Sequence, residues 1–129
     1  MSTLQVETIK NPTSLNTVNS EQLVQGSATA WVNFNGSGTV AIRDSYNVSS
    51  ITDIALGNYT INFATAMANT DYVVGAMSTY SIAFPGGQIM QDDRLAANST
   101  SSATVAVITI NGSAYSDTSK VMISIFGGK

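Results

Sequence analysis

Apolar and polar positions alternate with period two along most of this chain. Residues 28–34 set Ala28, Ala30, Val32 and Phe34 on one face and Thr29, Trp31 and Asn33 on the other. Such alternation is the pattern of a half-buried strand. Asn35-Gly36-Ser37-Gly38 then reads as a turn, because glycine accepts positive φ. The next run sets Val40, Ile42, Asp44 and Tyr46 against Thr39, Ala41 and Arg43. Val48–Thr52 and Tyr59–Phe63 flank a turn over residues 53–58, so residues 48–63 predict a β-hairpin. Tyr72–Ser78 follows a turn at residues 68–71, and Val121–Phe126 is the last strand, with Val121, Ile123 and Ile125 on one side. Ala103–Ile110 is apolar on both faces, which predicts a central strand covered on both sides. Residues 79–101 read as the longest irregular stretch, and helix signals are almost absent.

About seven strands with frequent turns predict an all-β fold, a single antiparallel β-sandwich or jelly-roll-like domain over residues 27–129. Residues 1–26 differ. Leu4 and Val6 alternate with Gln5 and Glu7, so residues 3–9 are a further strand candidate. The rest of this segment is polar with isolated apolar residues. Leu4, Val6, Ile9, Leu15, Val18 and Leu23 bury little against one another, so they mark an extended N-terminal arm that can bury against a partner subunit.

Composition narrows the function. The chain has 129 residues, the size of one domain, and 43% are hydrophobic. Only 10% are charged, against about 25% in an average globular domain. Ser, Thr and Asn (17, 15 and 11 residues) make up one third of the chain, which suits short strands joined by tight turns. The net charge is −3, and the five basic residues Lys10, Arg43, Arg94, Lys120 and Lys129 are scattered. Nucleic acids and anionic membrane surfaces need clustered cations, so neither is an expected partner. No stretch approaches the roughly 18 apolar residues of a membrane helix, and the N-terminus lacks signal-peptide character. There is no Cys and no His. That excludes thiolate nucleophiles and zinc–thiolate or iron–sulfur sites, and removes the usual neutral-pH general base. No cofactor is expected.

One segment carries a specific resemblance. WVNFNG (31–36), NVSSITD (47–53) and YTINF (59–63), within residues 30–63, closely resemble the C-terminal domain of bacteriophage tail fibre proteins, especially from phages of aquatic bacteria. The first residues, Ser2–Ile9, are similar to the start of phage fibre and virion proteins, and Val121–Gly127 to the closing strand of those domains. The matches cover roughly half the chain. The resemblance implies a non-catalytic virion protein displayed on the particle surface. It also implies a homotrimer, other phage virion proteins as partners, and synthesis in the host bacterial cytoplasm. A tail-fibre-like attachment role is the leading expectation. A capsid decoration protein that stabilises the head is the alternative. A stand-alone carbohydrate-binding module and a small hydrolase are further rivals.

Candidate sites are few. The stretch 79–94 is the preferred recognition surface, with Tyr80, Phe84, Gln88 and Arg94 as receptor or partner contacts and Tyr115 beside them as a further candidate. The competing account packs Ile82, Phe84, Ile89 and Met90 onto the core or a neighbouring subunit. A host surface glycan or protein is the candidate ligand. Trp31, the single Trp, is either a sugar-stacking platform or, more commonly for a mid-strand position, a packing residue in a sheet or subunit interface. Asp92 and Asp93 lack calcium-loop spacing, so no metal site is assigned. The eight acids fall mostly at turns or strand ends, where solvation explains them better than a catalytic carboxyl pair.

Overall fold

Alternation becomes antiparallel pairing throughout. The structure, a computed structural model, describes residues 2–3, 5–10, 17–79, 87–91, 97–109 and 114–129. Among them a short ribbon pairs β1 (Thr8–Lys10) with β2 (Thr17–Asn19), and the helix α1 (Ser20–Gly26) follows. Eight further strands run in chain order: β3 (Ala30–Asn35), β4 (Ala41–Tyr46), β5 (Val48–Ala55), β6 (Asn58–Phe63), β7 (Tyr72–Ser78), β8 (Gly87–Gln91), β9 (Ser102–Thr109) and β10 (Val121–Gly127). They form two four-stranded sheets. The first has the order β4-β3-β10-β7 and the second β5-β6-β9-β8.

The two sheets share one hydrophobic core. The first contributes Ala30, Val32, Phe34, Val121, Ile123 and Ile125, and the second Tyr59, Ile61, Phe63, Ala103, Val105 and Val107. All are inward positions of the alternating pattern. Two edge-to-face ring pairs tie the sheets together. Phe34 of β3 meets Tyr59 of β6 with centroids 5.2 Å apart, and Phe63 of β6 meets Tyr72 of β7 at 5.8 Å. Each fully buried large side chain contributes about 1.5–3 kcal/mol relative to exposure.

The hairpin predicted over residues 48–63 is β5–β6, with Ile51 opposite Ile61 and Thr52 opposite Thr60. Its turn is tighter than predicted, confined to Leu56-Gly57. β9 is the central strand predicted for residues 103–110, paired with β6 and β8, and residues 103–107 are all buried. The chain changes sheets between β4 and β5 at Asn47, whose φ of 53° is left-handed. Asparagine tolerates that conformation through local hydrogen bonding. Its amide holds the corner by accepting from Thr65 N (2.7 Å) and donating to the carbonyls of Thr29 (3.2 Å) and Thr65 (3.1 Å).

Four expectations change. Residues 79–101 are not wholly irregular, because Gly87–Gln91 is the strand β8 at the free edge of β9. Gly-Gln-Ile-Met-Gln has no alternation of its own, so the neighbouring edge selects the strand. The strand candidate at residues 3–9 forms only at Thr8–Lys10 among the described residues. The described part of residues 1–26 is not simply extended, since it holds a ribbon and a helix. Asn19 and Gln22 form a capping box: the Asn19 side chain accepts from Gln22 N (2.7 Å), and the Gln22 side chain from Asn19 N (3.0 Å). This box is legible in the sequence, but α1 has no apolar stripe to announce it. Finally, Ile42 does not share a face with Asp44 and Tyr46. One unpaired residue of β4, Arg43, lies between the Asn33–Asp44 and Phe34–Ile42 pairs, so it sits in a bulge that breaks the alternation.

Candidate functional site

The outward positions of the first sheet line up in rows across its four strands. One row reads Tyr46, Trp31, Ser124 and Gly75, and the next Asp44, Asn33, Met122 and Met77. On the other side of the first row, Phe126 is paired with Val73. Because β3 points Ala30, Val32 and Phe34 inward, Trp31 and Asn33 face away from the core. Trp31 is 37% exposed, Tyr46 57% and Met77 68%. The sheet therefore presents two adjacent aromatic rings and a thioether to solvent.

A groove opens on this face, with a volume of about 440 Å³. Its low point lies at Ser124 and Gly75, where side chains are short or missing. A Cβ at Gly75 would stand 3.1 Å from Ser124 Oγ, so glycine keeps the floor low. Trp31 is one wall, and Met77 with Met122 is another. No charged side chain lines it. Asn33 lines the groove too, and its Oδ1 is buried with no hydrogen-bond partner. A buried acceptor without a donor is costly.

A second cleft of about 620 Å³ lies between residues 27–29, the Asn47 corner, residues 64–68 and the last two residues. Several of its polar side chains are paired with the protein itself. Thr29 Oγ1 donates to Gly127 O (2.7 Å), and Lys129 Nζ donates to Ser27 O (3.0 Å). The Asn47 amide is fully used at its corner.

Polar pairing also organises the end of the molecule where the β5–β6 turn meets residues 116–118. Asp117 Oδ1 accepts from Gly57 N (2.7 Å) and lies 2.8 Å from Tyr59 Oη, which donates to Gly36 O at 2.6 Å. Burial, followed by the hydrogen bond and charge of Asp117, pushes the Tyr59 phenol well above its usual range. The group stays protonated and structural.

The preferred recognition residues are not assembled by what is described. Tyr80, Phe84 and Arg94 lie outside the described residues, as do Asp92 and Asp93. Gln88 falls on β8, in register with Ile108. Tyr115 is half-buried and makes an isolated bridge with Ile108. In the N-terminal segment, Leu4 and Leu15 lie outside the described residues, while Val6, Ile9, Val18 and Leu23 are exposed at 42%, 54%, 39% and 45%. Trp31 lies outside the core cluster, on the outer face of the first sheet and 37% exposed.

Sequence reasoning missed Tyr46, Gly75 and Ser124 as companions of Trp31. Alternation marked Trp31 and Asn33 as one face, but nothing local joins them to residues on β7 and β10. Among the described residues no group of three or more acidic side chains is placed to hold a metal ion, and no helix is long and apolar enough to cross a membrane. No family model, curated protein or solved structure matches this chain.

Proposed function

We propose that this is a non-catalytic structural protein of a bacteriophage virion, displayed on the particle surface, tail-fibre-like, and used for attachment or host recognition. In this reading residues 27–129 are a β-sandwich and residues 1–26 are an assembly arm. Three copies associate through their arms, or the arms dock the trimer onto other virion proteins. The resemblance of residues 30–63 to tail fibre domains motivates the virion role.

The observation that carries the assembly role is the exposure of the arm. α1 buries none of its own residues, and Leu23 and Val24 on it are 45% and 52% exposed. With Ile9 and Val18 on the ribbon, the arm leaves several apolar side chains in water. Burying each recovers a favourable transfer energy of about 25 cal/mol per Å² of apolar surface. A second subunit or another virion protein supplies that cover. Sheet-edge burial in the same assembly protects β4 and β5, whose outer edges are unpaired among the described residues.

Light scattering on a sizing column tests the reading. The full chain is expected at three times its 13.5 kDa mass, and a chain of residues 27–129 at the monomer mass. A full chain that stays monomeric at micromolar concentration counts against the trimer. A trimer that survives truncation moves assembly to the β domain and leaves the arm for docking.

A further inference from the structure

We infer that the groove at Trp31 is a saccharide-binding site that takes a neutral pyranose. The inference deepens the recognition role proposed above and rests on it only for the biological source of the sugar.

A pyranose ring has two chemical characters: one apolar C–H face, and a rim of hydroxyls that donate and accept. The groove offers both complements. Trp31 presents an indole wall of the groove on the outer sheet face. Aromatic rings bury large apolar area at low conformational cost. Hydroxyl partners line the same groove: Ser124 beside Trp31, and the Asn33 side chain in the row below. The volume of about 440 Å³ lies in the usual range for small-molecule sites, roughly 300–1,000 Å³.

Charge selects among saccharides. The lining holds no cation, and the neighbouring Asp44 is an acid. Arg43, the bulged residue, is turned to another task, since its guanidinium donates to Ser119 O at 2.5 Å. A uronate or sulfated sugar finds no counter-charge in the lining, so the site favours neutral rings. Shape argues against a two-fold partner copy as the occupant. A symmetric pair would place this concave face against itself, hollow against hollow, and leave the Gly75–Ser124 floor without contact.

The single Trp of the chain makes its fluorescence a reporter of this groove alone. The full chain is titrated with the methyl glycosides of glucose, galactose, mannose and N-acetylglucosamine, then with short oligomers of each. Light scattering follows the same samples. At least one neutral glycoside is expected to give a saturable change in Trp31 emission, and its uronate or sulfated analogue a much weaker one. Gly75→Val raises the floor on an edge strand that accepts a β-branched residue. It is expected to weaken binding about tenfold or more while circular dichroism and thermal unfolding stay unchanged. Asn33→Ala, which removes an amide side chain from the lining, is expected to weaken binding without loss of fold.

No saturable change with any neutral glycoside overturns the inference. So does equal response to charged and neutral sugars, or undiminished binding by folded Gly75→Val. Emission that instead tracks protein concentration and mass puts a second copy in the groove and overturns it as well. A monomer that still shows the saturable response upholds this site while refuting the arm-mediated trimer.

Discussion

Tyr59 carries one phenolic proton between two acceptors, the Gly36 carbonyl at 2.6 Å and the Asp117 carboxylate at 2.8 Å. It is fully buried, so both acceptors depend on it. Tyr59→Phe keeps the ring contact with Phe34 and removes only the hydroxyl. The expected loss is about 1–3 kcal/mol, the cost of leaving buried polar groups unpaired, read from urea unfolding at neutral pH. The pH dependence has a definite sign. The folded phenol is raised above its ordinary value, so it stays protonated while the unfolded chain's tyrosine ionises near pH 10. Above that pH the unfolded state binds fewer protons, and stability falls as pH rises. Burial also raises Tyr72, opposed by its hydrogen bond to Ser99, so part of the alkaline loss remains in the variant. The wild-type advantage over Tyr59→Phe is expected to shrink above pH ~10. A gap that widens there contradicts the assignment. The alternation marked Tyr59 as inward, but its partners lie in distant segments, and no local pattern names them.

At the level of elements, the β5–β6 hairpin shows how a turn is imposed by what packs behind it. Gly57 has φ +68°, and a Cβ there would stand 2.6 Å from Val107 O and 2.7 Å from Ser116 N. Gly57→Ala therefore meets both left-handed strain and backbone collision. The expected cost is about 2–4 kcal/mol by chemical denaturation. Within β6, Ile61→Ala opens a cavity between the sheets and is expected to cost about 2–5 kcal/mol. α1 predicts the contrary behaviour. Its capping box is well formed, yet it buries no residue. Asn19→Ala is expected to speed hydrogen exchange in α1, with a local cost of about 1 kcal/mol. Global unfolding is expected to shift by less than about 0.5 kcal/mol. A larger global shift shows that the helix is packed in solution. The turn at Gly57 and the box at Asn19 and Gln22 are both written locally; the exact turn length and the weakness of the helix are not.

For the whole molecule, two of the regions that expose apolar side chains have different physical consequences. The arm's apolar residues lie on slender elements that cannot bury them alone, so they favour association. The Trp31 face is a rigid sheet with a hollow in it, so it favours a small ligand. The two are separable by experiment. Removing residues 1–26 is expected to abolish the proposed trimer. It leaves the thermal midpoint of the β domain within a few degrees, because the core lies wholly outside that segment. Trp31 emission in the truncated chain is expected to match that of the full chain. A red-shifted emission on truncation shows instead that the arm shields the groove.

Much of the fold was legible from period two alone. It placed the strands of the sheet core, the inward faces of β3, β6 and β10, the hairpin over residues 48–63, and the doubly covered β9. These follow from local alternation, because successive side chains of a strand point to opposite faces. The low charge and the missing Cys and His limited the chemistry in the same local way. Tertiary structure alone decided the rest. The order β4-β3-β10-β7 sets Trp31 beside Ser124 and Gly75, which are remote in sequence. The bulge at Arg43 moves Ile42 to the row of Phe34 and leaves Asp44 and Tyr46 in the outer rows. The strand β8 exists because β9 has an edge to pair. Each depends on which strands become neighbours, and alternation within one strand carries no record of its neighbour.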